Sequence, residues 1–365
     1  MEKEKKIEID FLRGLLSICV CLGHIFDALT IKANFFGTSW VVGFVILSGY
    51  LIEGSLVSNL PKKNYTVKNY IILRITRIFP LYFFIIFISI LFFIFNFNST
   101  FFNETSSTLI NRLMETYNLK NLIGQIFFLT GIIPGFKTFF FLNATPTLVY
   151  EFFYYLTWSL RFYFSKYYIY LIFILFLILY YFKVILFDFV IFYFIWLIGT
   201  LLHNFKKFFF NNFFCRLGYI SLFFFTSLYL FDETNYILKK LTQFYFHEYF
   251  LFIIPFSLII LGKNSIFYQK FSISIFFVKF SKWLGNISYP LFIVHTFIIL
   301  ILEITVSYFD LNQFLNSYFL AFIYLFIIIF ISQILSLLIE KPIMKFRERI
   351  KERNNFITIR PNYEK

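Results

Sequence analysis

The sequence predicts an all-α, polytopic membrane protein of about ten transmembrane helices, with both termini cytoplasmic. Three observations predict it. Of 365 residues, 60% are hydrophobic and only 14% charged, a balance foreign to soluble domains. Apolar runs near 20 residues recur from one end of the chain to the other, the length a helix needs to cross a hydrocarbon core of about 30 Å. Basic residues flank these runs in alternation, rich on one side and poor on the other, as the positive-inside rule requires. The implied setting is a multi-pass protein of the cell (plasma or inner) membrane, with the lipid bilayer as its first partner.

The first span, 10–30, follows Met1-Glu-Lys-Glu-Lys-Lys, a charged start like that of a signal peptide. No small-residue cleavage site follows, and the run carries Arg13 and His24, so it reads as a retained helix. The second span, 38–57, is rich in small residues, and the third, 70–96, opens on Arg74 and Arg77. Residues 97–146 form the largest predicted external segment, either a cover for an outer cavity or a plain solvated loop. Within it, Asn121 to Ile133 is apolar but too short to span, which predicts an interfacial or re-entrant piece. Spans at 147–164, 167–183 and 185–203 follow, the last two requiring a very tight turn around Lys183 to Leu186. The series closes with 214–231, 248–262, 284–304 and 318–339. Residues 1–345 thus read as one membrane domain and 346–365 as a basic cytoplasmic tail, whose simplest role is anchorage at an anionic leaflet.

Charge supports this order. With both termini inside, all but seven of the 33 Lys and Arg residues fall in inner segments; the seven are Lys32, Arg112, Lys120, Lys137, Lys183, Lys239 and Lys240. The net charge of +14 would suit a nucleic-acid binder, but its placement beside apolar runs reports topology, and no nucleic-acid partner is expected. The 62 Phe residues read as lipid-facing or packing surface. Cys19, Cys21 and Cys215 form neither a disulfide framework nor a metal-ligand spacing, so no metal is expected.

Ionisable residues inside a membrane helix are expensive and by default mark function. Arg13 and His24 are eleven residues apart in the first span, which places them on one helix face about 16 Å apart along the axis. A cation near one surface and an imidazole deeper in suit a long anionic ligand that threads its reactive end inward. Asp10, one turn before Arg13, either pairs with it at the interface or aims its guanidinium at a ligand. Asp27, one turn beyond His24, either holds one ring nitrogen so that the other acts as a base, or is a solvated loop acid. In the second span, the Gly43 to Ile52 stretch packs closely against a neighbouring helix, or Ser48 offers a hydroxyl to a cavity. In the third, Arg74 and Arg77 are three residues apart and share a face. They anchor the helix at the inner surface or clamp phosphates bidentately. Pro80 follows, where it would loosen the helix start.

These residues resemble the acyltransferase-3 family of integral membrane O-acyltransferases. The likeness lies in Asp10-x-x-Arg13-Gly with His24, the Gly43 to Ile52 stretch, and Arg74-x-x-Arg77-Ile-x-Pro80-x-Tyr82. Thr147-Leu-Val-Tyr-Glu151-Phe-Phe-Tyr-Tyr155 is similar to the family's Trp-Ser-Leu-x-x-Glu-x-x-Phe-Tyr element, with Pro146-Thr147 in place of Trp-Ser. Leu284-Gly-Asn-Ile-Ser288-Tyr289 through His295 is similar to its Leu-Gly-x-x-Ser-Tyr…His element, and Glu340-Lys341-Pro342 to its terminal Glu-Arg-Pro. The matches run in order over nearly the whole chain, with little signal from Lys166 to Lys279.

The resemblance implies transfer of an acyl group, usually acetyl, from cytoplasmic acyl-CoA to a hydroxyl of a cell-surface polysaccharide, lipopolysaccharide or lipid-linked saccharide across the membrane. It implies His24 as catalytic base or transient acyl acceptor, with Asp27 beside it. Glu151 would work on the acceptor side, and Arg13, Arg74 and Arg77 would hold the CoA phosphates. Tyr82 and Ser288 are further candidates. His295 is either a site residue or a polar helix–helix contact, and Glu340 forms a local ion pair with Lys341 or Arg347. A transporter or flippase for lipid-linked saccharides also fits a polytopic chain with buried charges. Such transporters commonly carry inverted repeats, and no internal repeat is visible here.

Overall fold

The computed structural model describes residues 3–31, 38–61, 65–96, 115–139, 142–164, 167–205, 212–230, 247–261, 275–311 and 315–356. Among them the regular structure is helical throughout. Its main helices are α1 (Lys3–Ala28), α2 (Thr38–Asn59), α3 (Val67–Asn96), α4 (Leu119–Ile126), α5 (Thr145–Ser159), α6 (Tyr168–Tyr181), α7 (Phe187–Phe205), α8 (Asn212–Leu230), α9 (His247–Leu261), α10 (Ile275–Tyr308), α11 (Ser317–Leu335) and α12 (Lys341–Phe356).

Six stretches among the described residues are long and apolar enough to cross a membrane: α1, α2, α3, α7, α10, and the run from Ser317 to Ile350. The other four predicted spans coincide with α5, α6, α8 and α9. Of these, α5, α6 and α9 have 14 or 15 residues and reach only about 22 Å. Two further boundaries differ from the sequence reading. Helix α10 begins at Ile275 rather than 284, with Lys279 and Lys282 exposed on its first turns. And the chain does not leave its helix at 339. A π turn over Ser336–Glu340 leads directly into α12. Pro342, second in α12, cannot donate a helical hydrogen bond and its ring crowds the carbonyl four residues back. A wider turn just before it relieves that clash. The predicted tail is therefore helical to Phe356, and its residues 357–365 lie outside the described ones.

The chain divides into two compact units, Met1–Leu51 with Ile195–Ser332, and Ile52–Phe194 with Gln333–Lys365. In the first unit α1 lies along α10, and α8 along α9. Glycine makes the approaches possible. A Cβ on Gly14 would stand 2.5 Å from Cβ of Leu284, and one on Gly285 would stand 2.8 Å from Cβ of Asp10. Gly49 of α2 meets the Trp196 carbonyl of α7, and Gly199 meets that of Ile46, so the close packing expected of the Gly43 to Ile52 stretch is present. At the start of α1, the buried Lys5 and Glu8 pair at 3.0 Å, and Lys5 also donates to the Ile259 carbonyl.

In the second unit α3 packs on α5, and α12 packs on α3. Helix α5 starts where Pro146 occupies its first turn, the one place in a helix where a missing N–H costs nothing. This accounts locally for Pro146-Thr147. The Tyr154 hydroxyl donates to the Phe189 carbonyl at 2.7 Å. The tight turn between α6 and α7 is made at Lys183, with φ of +57°. The apolar stretch from Asn121 is not a span. It is the short helix α4, capped by the Asn118 side chain on the Asn121 N–H, followed by turns with positive φ at Phe128, Gly131 and Gly135. Tyr82 fastens it to α3, donating to the Gln125 carbonyl at 2.7 Å and stacking on Phe128 at 4.6 Å. Tyr150 fastens it to α5 by donating to the Gly131 carbonyl. Of the predicted external segment, residues 97–114 and 140–141 lie outside the described ones.

Candidate active site

Helices α1 and α10 run parallel. They touch where Gly14 meets Leu284 and Gly285 meets Asp10, and again where His24 meets His295. Each histidine is ten residues past its helix's glycine, about 15 Å further along both axes. Equal rises from a common crossing bring the two rings level, with centroids 5.1 Å apart and planes at 37°.

His295 lies midway along α10 and is fully buried. Its Nδ1 is 3.1 Å from the Leu291 carbonyl oxygen. A carbonyl only accepts, so Nδ1 carries the proton and the lone pair resides on Nε2. That Nε2 is buried with no hydrogen-bond partner. His24 is half-buried near the C-terminal end of α1, and the exposed Asp27 acts on it through its charge. No hydrogen bond joins Asp27 to His24 among the described residues; the group that faces His24 is the His295 ring.

The other candidates of this unit have these surroundings. Asp10 is half-buried under the influence of Arg13, Lys6 and Lys282. Arg13 is half-buried and Ser48 buried. The Ser288 hydroxyl donates to the Gly285 carbonyl at 2.7 Å, a bond within its own helix at the α1–α10 crossing.

In the second unit, Arg74 is buried among aromatic rings. Its guanidinium carbon is 5.1 Å from the Tyr70 ring centre and 5.6 Å from that of Tyr155, a geometry in which ring faces attract the cation. Its Nη2 donates to the Ser55 hydroxyl at 3.0 Å, whereas its buried Nε has no partner. Arg77 follows one turn later, half-buried. Glu151, seventh in α5 and half-buried, accepts a hydrogen bond from Tyr155 at 2.9 Å. Glu151 is thus joined through Tyr155 to Arg74. Tyr82 is fully buried, with its hydroxyl engaged by Gln125.

Two features escaped the sequence reading. Glu53 of α2 is fully buried and pairs with Arg161, while its Oε2 also accepts from the Trp158 indole at 3.1 Å. An acid between Ile52 and Gly54 in an apolar helix was the signal that could have found it. Arg161, counted as a topological marker, is its partner. The second is the setting of Arg347 of α12. Expected only as a local partner of Glu340, Arg347 lies within electrostatic reach of Arg74, Arg77 and Tyr155 as well as Glu340.

Chemically, the first unit offers two imidazoles, one with a free lone pair shielded from solvent, which suits proton transfer. The second offers guanidiniums held against aromatic rings, which suits an anion. Among the described residues no three His, Cys, Asp or Glu side chains gather as a metal site requires.

The model of one protein family, described as an acyltransferase domain, matches residues 6–340, nearly the whole chain. No curated protein and no solved structure matches it. The match supports the enzyme reading of the sequence and lends nothing to the transporter reading.

Proposed function

Because this chain belongs to the acyltransferase-3 family, we propose that it is a membrane O-acyltransferase that moves an acetyl group from cytoplasmic acetyl-CoA to a hydroxyl of a cell-surface glycan or its lipid-linked precursor. The observation that carries this reading is the His24–His295 pair, two level imidazoles with an unpartnered buried nitrogen, in a chain of an acyl-transferring family. His24 takes the proton of the acceptor hydroxyl. The hydroxyl oxygen forms an ester bond to the acyl carbon as the carbon–sulfur bond of the donor breaks, and the proton passes to the departing thiolate. His295 accepts or steadies charge beside His24 through Nε2. Arg74 and Arg77 hold donor phosphates, with the buried, unpartnered Nε of Arg74 in support, and Arg13 is a further cation for the donor. Glu151 serves the acceptor or its orientation.

Mass spectrometry of surface glycans from cells with and without the gene tests the reading. A glycan lighter by one acetyl group in the deletion, restored by the wild-type chain and not by His24→Ala, is the expected result. Identical glycans in both strains would overturn it.

A further inference from the structure

Helix α12 follows the last apolar run, and its simplest role is that of a basic anchor. Arg347 departs from that role. It is half-buried rather than extended into solvent, and its Nε is buried without a partner. The helix that carries it packs on α3. The groups acting most strongly on Arg347 include two cations, Arg77 and Arg74, the Glu340 carboxylate and the Tyr155 phenol. Like charges repel strongly where water is scarce, so guanidiniums gather in a partly buried place only if something opposes them. The same unit shows what a half-buried structural arginine looks like. Arg161 is satisfied by Glu53 and lies over the Trp158 ring at 5.3 Å. Arg74 and Arg347 instead each keep a buried Nε unpartnered. Glu340 and the Tyr155-bound Glu151 leave both of these Nε groups without a hydrogen bond. A multiply charged phosphate, with several acceptor oxygens, can serve both together with Arg77.

We propose that Arg347 is the third guanidinium of a phosphate-binding site shared with Arg74 and Arg77, and that α12 belongs to the site that holds the acyl donor. The proposal rests on the reading of Arg74 and Arg77 as the grip on the donor's phosphates. Pro342 and the π turn before it set the angle at which α12 meets α3, so the route of the chain past its last span becomes part of donor recognition.

The test uses the full-length protein in nanodiscs of zwitterionic lipid and three probes: pyrophosphate, acetyl-CoA and the phosphate-free acetyl-pantetheine. Arg347→Gln is expected to weaken pyrophosphate and acetyl-CoA by about tenfold or more, the worth of a charge-assisted hydrogen bond. Acetyl-pantetheine binding should be unchanged, and Arg347→Lys should recover only part of the loss. Wild-type affinity for pyrophosphate in Arg347→Gln would overturn the proposal. A second measurement needs no variant. Phenylglyoxal labelling of wild-type protein, mapped by mass spectrometry, should show Arg347 protected by pyrophosphate; equal labelling with and without it also overturns the proposal. Protection by an anionic bilayer alone, with none from pyrophosphate, would overturn it in favour of a lipid headgroup. Loss of pyrophosphate binding with acetyl-CoA unaffected would uphold the anion site and refute the donor reading on which it was built.

Discussion

His295 places its ring 5.1 Å from that of His24, and the helices bearing them cross ten residues earlier at Gly285 and Gly14. Small residues at the crossing and imidazoles further along act as one device, in which the glycines set the interaxial distance that the rings require.

The histidine pair is expected to act as a unit. His24→Ala should abolish glycan acetylation with normal protein in the membrane. His295→Ala should lower it by about 100-fold, the scale of a lost acid–base contribution, and the two together should cost little more than His24→Ala alone. Glycan mass spectrometry and immunoblotting of membranes give both readouts. Wild-type acetylation in His295→Ala, accompanied only by a lower unfolding temperature, would leave His295 as a packing residue.

For the crossing, Gly285→Val is expected to separate α1 from α10, because its side chain would meet Asp10. Overpacking of this kind costs about 1–3 kcal/mol. Turnover should fall further than stability does, since the rings part with the helices. Thermal unfolding in detergent, beside acetyl transfer per folded molecule, separates the two effects. Gly49→Ala, directed at the Trp196 carbonyl, should lower stability by a similar amount without that selective loss of turnover.

Arg74 and Arg77 are expected to be intolerant of lysine. An ammonium loses the planar fork and the stacking on Tyr70 and Tyr155, so Arg74→Lys should weaken acetyl-CoA binding by about tenfold. Purified Arg74→Ala/Arg77→Ala protein that bound acetyl-CoA as the wild type does would reduce the cluster to a topological anchor.

Glu151 separates into distinguishable roles. If it positions the acceptor, Glu151→Gln should still discharge acetyl-CoA slowly to water while glycan transfer is lost. If it supports His24, both reactions should fall together. The Tyr155–Glu151 hydrogen bond adds a third arm. If Glu151 works by holding Tyr155 against Arg74, Tyr155→Phe should reproduce the Glu151→Gln defect and raise the KM for acetyl-CoA. Normal glycan transfer in Glu151→Gln would exclude all three.

Glu53 and Arg161 are expected to matter for folding. Removing one member of a buried pair strands the other, at about 3–5 kcal/mol, so Glu53→Gln should depress the yield of folded protein sharply. The double variant Glu53→Leu/Arg161→Met should recover much of it, with unchanged activity per folded molecule.

The helical class, the membrane location and the order of the motifs were legible because each leaves a local trace: an apolar run, a flanking Lys or Arg, a glycine or proline at a boundary. The turn at Lys183 could be anticipated from spacing alone. Six of the ten predicted spans coincide with stretches long and apolar enough to cross a membrane; for a run such as 167–183, composition alone does not give the length the helix attains. Glu53, and the setting of Arg347 beyond its local partner Glu340, were not legible for a different reason. Their partners, Arg161 in one case and Arg74 and Arg77 in the other, lie far off in sequence, and tertiary neighbours of that kind have no periodicity to betray them. The pairing of His24 with His295 was hidden in the same way, although matching glycine-to-histidine intervals in the two motifs hinted at it.

The parallel run of α1 and α10 also has a consequence for biogenesis. His24 emerges from the ribosome long before His295. Between those two moments a nascent polypeptide carries one imidazole without its counterpart. On the proposed function, incomplete products lack the dyad and would be unable to waste thioester by hydrolysing it, competence arriving only when α10 docks beside a helix made long before.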